Sequence, residues 1–326
     1  MNHFQRYLAE EFAEDYAEGR LSRRAALKLI ASVVGSLAVA NAFLDGQPHP
    51  AAAAAGASPV ATPVPTCTPA GQPAPGATAA ASPAAPAIDN VSPDDAAITA
   101  GAVRFPDHGV TLLGYLAQPR GSGPYPVVLV CHENRGLTDD IKDLTRRLAK
   151  AGYVGLAVDL LSRQGGTAAL NADQVPGILG NLPPDQFVRD FVSGWHYTQT
   201  LSFARADQVG MVGFCFGGGV TWLVAEGMPE LKAAVPFYGP PPPVDAVPNI
   251  NAAVFAIYAG RDQRITGSAP TMEAAMHDHN KIYEKMIYPD TDHAFHNDTG
   301  PRYNAQAAHD AWVRTLAWFG KYLASS

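Results

Sequence analysis

Gly213-Phe214-Cys215-Phe216-Gly217-Gly218-Gly219 is entered from an apolar run, residues 208–213, and left through residues 216–226, which suit a helix. A cysteine between glycines on a strand-to-helix bend fits the G-x-[Ser/Cys]-x-G pattern of a nucleophile elbow. Gly213 and Gly217 leave room for the sharp turn, which thrusts the side chain between them outward. The helix amides beyond Cys215 favour a thiolate, and the Phe216 amide is placed to donate to an oxyanion. Two other readings fit a glycine-rich turn less well. A phosphate-binding loop needs a following Lys-Ser/Thr pair, and a dinucleotide site needs companion residues that are missing here. A buried, inert cysteine with glycines for helix packing is the remaining alternative.

Outward from this turn, strand and helix patterns alternate. Residues 102–106 and 110–119 read as two short strands joined around Asp107-His108-Gly109. Residues 127–131 form a continuous apolar run, as in a strand covered on both faces. A helix capped by Asp139 or Asp140 follows, with Ile141, Leu144 and Leu148 on one side, and Gly152 ends it before a strand at 153–159. A long loop is expected to Pro184, then a helix over 185–203 with Phe187, Phe191, Trp195 and Thr198 at helical spacing. Strands at 233–238, 253–258 and 283–288 and helices at 272–280 and 303–322 complete the series. The pattern predicts an α/β fold, a mostly parallel central sheet with helices on both faces. Ligands in such folds bind beyond the carboxyl ends of the strands.

Two further residues fall at that edge. Asp262 follows the strand 253–258 through Ala259-Gly260-Arg261, and His293 follows the strand 283–288 through Asp290-Thr291-Asp292. The order cysteine, aspartate, histidine is that of a nucleophile, an orienting acid and a base. Asp290 and Asp292 lie nearer His293 in sequence and compete as its partner, while His296 is the second candidate imidazole. A metal site built from these histidines and aspartates would need a local element to align them, and the triad accounts for them more economically.

The motifs His132-Glu133-Asn134-Arg135-Gly136, Gly213-Phe214-Cys215-Phe216-Gly217-Gly218, Gly260-Arg261-Asp262 and His293-Ala294-Phe295 together resemble the dienelactone hydrolase (carboxymethylenebutenolidase) family over residues 102–323. The resemblance implies an α/β-hydrolase fold, no metal or organic cofactor, and hydrolysis of enol-lactones through Cys215, Asp262 and His293. It implies that Glu133 interacts with the resting cysteine, that Asn134 gives a second oxyanion-hole amide beside Phe216, and that Arg163 pairs with the glutamate or binds a substrate carboxylate. A family arginine four residues after the histidine is Asn297 here, which leaves Arg135 or Arg302 to compensate. The expected substrate is a small ester or lactone, carboxylate-bearing or neutral. A broader esterase or thioesterase, and an exported binding protein on a hydrolase scaffold, are the alternatives.

The 326 residues carry a net charge of -7, which argues against nucleic acid as the main partner. Only residues 89–326 have the composition of the hydrolase domain. Residues 1–45 contain Ser22-Arg23-Arg24-Ala25-Ala26-Leu27-Lys28 before an apolar stretch, 29–44, and read as a twin-arginine-like export signal or anchor, with a buried helix bearing a solvated Arg pair as the alternative. Glu10, Glu11, Glu14, Asp15 and Glu18 make the arm before it unusually acidic for a signal. Ala40-Asn41-Ala42 offers a cleavage site. The export machinery is thus an expected partner, and the protein is expected in the periplasm or outside the cell, attached to a membrane if the segment is not cleaved. Residues 46–88, rich in Ala, Pro, Ser and Thr, read as a disordered spacer. Three cysteines allow at most one bridge, Cys67–Cys131.

Overall fold

The computed structural model describes residues 1–47 and 89–324. Residues 48–88, with most of the expected spacer and Cys67, lie outside the described residues. Three helices come first: α1 (His3–Ala17), α2 (Arg23–Val34) and α3 (Leu37–Asp45). The hydrolase domain then runs β1 (Ile98–Asp107), β2 (Val110–Pro119), β3 (Tyr125–Cys131), α4 (Asp139–Lys150), β4 (Val154–Asp159), α5 (Val175–Asn181) and α6 (Pro184–Gln199). It continues β5 (Ala204–Phe214), α7 (Phe216–Gly227), β6 (Ala233–Phe237), β7 (Ala253–Ala259), α8 (Gln263–Thr266), α9 (Ala269–Asp278), β8 (Tyr283–Tyr288) and α10 (Ala305–Tyr322).

The strands form one 8-stranded sheet in the order β1-β2-β4-β3-β5-β6-β7-β8. β1 and β2 pair antiparallel, as do β2 and β4, and the strands from β4 across to β8 are parallel. The β1–β2 turn places His108 at φ 40° and Gly109 at φ 87°, the left-handed pair that a two-residue hairpin needs to match strand twist. Every residue of β4, β6 and β7 is buried, which explains why those runs are continuously apolar instead of alternating.

Two details depart from expectation. The stretch to Pro184 is not all loop, since α5 forms within it. The expected helix over 185–203 ends at Gln199, and a turn leads into β5. α5 packs against the N-terminal helices. Its Gly177 and Gly180 face Ser32 and Val33 of α2, where an added Cβ would lie 2.7 Å from the Ser32 hydroxyl and 3.0 Å from Val33 Cγ1. The apolar stretch 29–44 is divided by Gly35, left-handed at φ 72°, and by Ser36, which caps α3. No helix among the described residues is long and apolar enough to cross a membrane.

α1 begins with a capping box, in which the Asn2 side chain accepts from the Gln5 amide and the Gln5 side chain accepts from the Asn2 amide. Phe4, Tyr7, Leu8, Phe12 and Tyr16 line one face of it and are buried in the same core as the sheet. Each such side chain removed from water contributes about 1.5–3 kcal/mol. α1 is therefore a packed part of the fold. Phe4 completes an aromatic cluster with Phe187 of α6 and Phe216 of α7, at ring separations of 5.4 and 5.0 Å.

Candidate active site

β5 runs straight into α7 at Cys215, whose φ of 58° and ψ of -121° put a non-glycine residue in a strained conformation. The glycines make this bend feasible. A Cβ on Gly213 would sit 2.2 Å from the Gly217 carbonyl oxygen, and one on Gly217 would sit 2.5 Å from that of His132. The Cys215 amide donates to the Phe237 carbonyl at 3.0 Å, which ties the turn to β6. Cys215 is 3% exposed. Burial, then the carboxylates of Glu11 and Glu133, push its thiol well above the ordinary range, against the Tyr7 hydroxyl and the Phe216 amide, which favour the thiolate.

Asp262 caps the short helix α8 after β7. One carboxylate oxygen accepts from the Ile265 amide at 3.3 Å, and the other lies 2.6 Å from His293 Nδ1. Burial opposes ionisation of Asp262, yet the hydrogen bond and charge of His293, with Arg264 and the Ile265 amide, hold its carboxyl below the usual value. The competing aspartates point away: Arg261 holds Asp292 at 3.5 Å and Asp290 at 4.0 Å on the exposed side of the loop. His296 is buried between the rings of Phe214, Phe237 and Trp312, and burial, reinforced by Arg147, pushes it down to about 3. It remains neutral and away from the sulfur.

A cavity of about 130 Å³ reaches Cys215 and His293, bounded among others by Glu133, Asn134, Asn297 and Arg302. Six of the residues singled out from sequence converge here: Cys215, Asp262, His293, Glu133, Asn134 and Phe216. Arg163 does not. Its guanidinium holds Asp190 at 2.7 Å and also pairs with Asp107, so it ties β1 to α6 instead of facing the cavity. Two cations border the cavity: Arg135, exposed, and Arg302, half-buried and 3.5 Å from Asp15. Asn297, where the family motif has arginine, donates to Glu133 at 2.8 Å. The second Glu133 oxygen is enclosed without a hydrogen-bond partner, and burial raises this carboxyl despite the Asn297 bond.

The residues that sequence reasoning missed come from α1. The Tyr7 hydroxyl lies 3.2 Å from Cys215 Sγ and 3.4 Å from His293 Nε2. Glu11 places its carboxylate oxygens 3.6 and 3.7 Å from the same sulfur and accepts from Asn134 Nδ2 at 3.0 Å. Glu14 and Asp15 pair with Arg264 and Arg302. Three carboxylates of the acidic arm, Glu11, Glu14 and Asp15, are thus answered by an amide and two cations of the hydrolase domain. That acidity was the available signal, together with Phe4, Tyr7, Leu8, Glu11 and Phe12 at helical spacing. Glu11, Cys215 and His293 offer donor atoms within 4.8 Å of one another, a spacing that a metal ion could bridge. Here the Tyr7 hydroxyl lies between Cys215 and His293, and the thiol donates to Glu11.

A strained cysteine at a strand–helix turn, with a carboxylate-held histidine from the following loops on a mostly parallel sheet, defines an α/β-hydrolase-type protein. The chain belongs to the dienelactone hydrolase family, whose model matches residues 112–323. A protein of Escherichia coli (strain K12) assigned as a carboxymethylenebutenolidase is 37% identical over 247 residues, spanning 71% of this chain and 90% of that protein. One from Methylorubrum extorquens, assigned likewise, is 35% identical over 245 residues, covering 71% and 84%. Among solved structures, one assigned as a dienelactone hydrolase from Klebsiella pneumoniae superimposes with a TM-score of 0.65 at 34% identity, over 69% of this chain and all of its own.

Proposed function

We propose that this hydrolase opens a small ester or lactone by nucleophilic attack of Cys215, through an acyl-thioester. The observation that supports it most is the 2.6 Å contact between Asp262 and His293 Nδ1, which leaves Nε2 to take up the thiol proton. The Cys215 sulfur bonds to the substrate carbonyl carbon while the amides of Phe216 and Asn134 receive the charge developing on oxygen. Collapse expels the alcohol or alkoxide arm, which takes a proton from the imidazolium. Water then attacks the thioester, with His293 as base, and releases the acid. Arg302 stands where a carboxylate-bearing substrate would be favoured, a role Arg163 cannot fill while it holds Asp107 and Asp190.

The test is a paired screen of carboxylated and neutral esters and lactones on the full chain, with Cys215→Ala and Cys215→Ser. Loss of turnover in Cys215→Ala, with an acyl adduct trapped on Cys215 of the parent, is expected. Retained turnover in Cys215→Ala would move the reacting group elsewhere.

We also propose export by the twin-arginine route. Arg23 and Arg24 are exposed at the start of α2, although Arg23 also pairs with Asp45 at 2.9 Å. Cell fractionation of the double variant Arg23→Lys/Arg24→Lys tests it: retention inside the cell is expected, and unchanged export would refute the reading.

A further inference from the structure

Tyr7 reaches the nucleophile from a different side than the cavity does. The cavity at Cys215 and His293 is bounded by Glu11, Phe12 and Asp15 of α1 but not by Tyr7. Tyr7 instead borders a separate cleft with Pro240–Pro243 and Arg264, and its hydroxyl passes between Sγ and Nε2 from there. The phenol thus meets the reacting pair without lining that cavity. It is also fixed. The ring is fully enclosed, the Arg264 guanidinium lies over its face at 4.7 Å from the ring centre, and Arg264 is held in turn by Glu14 at 3.5 Å and Asp262 at 3.9 Å.

We propose that Tyr7, carried on the N-terminal helix, is a catalytic residue that relays the thiol proton of Cys215 to His293 during acylation. The inference rests on the cysteine mechanism above. At rest the Tyr7 O–H donates to Cys215 Sγ at 3.2 Å; for the relay the hydroxyl turns, so that the S–H donates to the Tyr7 oxygen and the Tyr7 O–H donates to His293 Nε2, 3.4 Å away. As the sulfur bonds to the carbonyl carbon, the S–H bond breaks and its proton joins the Tyr7 oxygen. The phenol's own proton moves to Nε2, giving an imidazolium paired with Asp262, and the carbonyl π electrons move to the oxygen. The phenol is neutral before and after. That suits its surroundings, since burial first, then Cys215 and Glu11, keep it from ionising. Glu11 is the rival acceptor, but it is farther, at 3.6 and 3.7 Å, and one of its oxygens is engaged by Asn134.

The relay is tested with Tyr7→Phe in the full chain and an activated aryl ester, whose leaving group needs no proton, so that single-turnover acylation reports thiol deprotonation. Acylation is expected to fall by about 100-fold near neutral pH. Hydrolysis of the preformed acyl-enzyme, where water is the proton donor, should change by less than about 3-fold, on the same general acid–base reasoning. The two acylation profiles should converge at high pH, where solvent removes the thiol proton, a convergence that a merely structural role would not produce. Parental acylation in Tyr7→Phe overturns the proposal, and faster acylation overturns it in favour of an autoinhibitory phenol. If Tyr7→Phe does not fold, 3,5-difluorotyrosine at position 7 keeps the packing and changes only the phenol's acidity, and an unchanged acylation profile there overturns the relay. With Cys215→Ala inactive, either failure refutes the relay alone. With Cys215→Ala active, the cysteine reading itself has failed.

Discussion

Glu133 and Glu11 are two carboxylates beside the same sulfur, delivered by opposite means. Glu133 follows directly from the end of β3, so the register of a buried strand places it near β5 and the Cys215 turn. Glu11 lies 204 positions before Cys215, on a helix whose place depends wholly on packing. Yet Glu11 approaches the thiol, while Glu133 gives one oxygen to Asn297 and leaves the other unpartnered. A residue placed by a motif is thus near the chemistry without touching it, and one outside any motif makes the contact.

The largest consequence concerns the arm as a whole. If α1 were an accessory, removing residues 1–46 would leave the hydrolase domain intact. Its absence instead bares the surface against which Phe4, Leu8, Phe12 and Tyr16 pack. At about 1.5–3 kcal/mol for each such side chain, the loss approaches the roughly 5–15 kcal/mol that holds a typical domain together. Truncated protein is expected to aggregate or to melt far below the full chain in a thermal scan. A truncated domain with the parental melting temperature would show that the arm is dispensable, and would leave α5 with no reason for its glycine contacts to α2. The same reasoning bears on export: cleavage at Ala40-Asn41-Ala42 would separate Tyr7 and Glu11 from the domain unless the freed helices stay bound.

Sheet and site differ in how far they can be read from sequence. β3, β4, β6 and β7 are announced by short apolar runs because burial on both faces disfavours polar residues along them, the buried Asp159 that ends β4 excepted. Cys215, Asp262 and His293 are legible because each sits just beyond a strand at the edge where this architecture gathers its loops. The partner of His293 could be chosen only from the structure, which turns Asp290 and Asp292 toward Arg261. Arg163 shows the limit of motif transfer. Its position after β4 fits the family pattern, but Asp107 and Asp190 claim its guanidinium, and neither lies near it in sequence. The arm was hardest to read, since an Arg pair before an apolar stretch looks like a targeting signal whether or not the acidic helix before it docks. The burial of Phe4, Tyr7, Leu8 and Phe12, with Glu11 answered by Asn134 across 123 positions, distinguishes the two, and no local pattern encodes the Glu11–Asn134 pairing.

The finest test compares the two carboxylates directly, as Glu11→Gln and Glu133→Gln. Both amides keep the shape of the side chain, and the amide oxygen introduced by Glu11→Gln can still accept from Asn134. Each substitution removes a negative charge that opposes the thiolate, so the Cys215 titration should move down, toward the ordinary thiol range. Glu11 acts on the sulfur more strongly than Glu133 does. Alkylation by iodoacetamide across pH is expected to shift to lower pH by about one unit in Glu11→Gln, equivalent to about 1.4 kcal/mol, and by clearly less in Glu133→Gln. Below the shifted midpoint, Glu11→Gln should therefore alkylate faster than the parent at the same pH. Equal shifts would mean that both carboxylates lie equally close to the thiol in solution. A larger shift in Glu133→Gln would mean that the strand-borne glutamate swings onto the sulfur and the helix-borne one withdraws, reversing the order set by the 3.6 Å approach of Glu11.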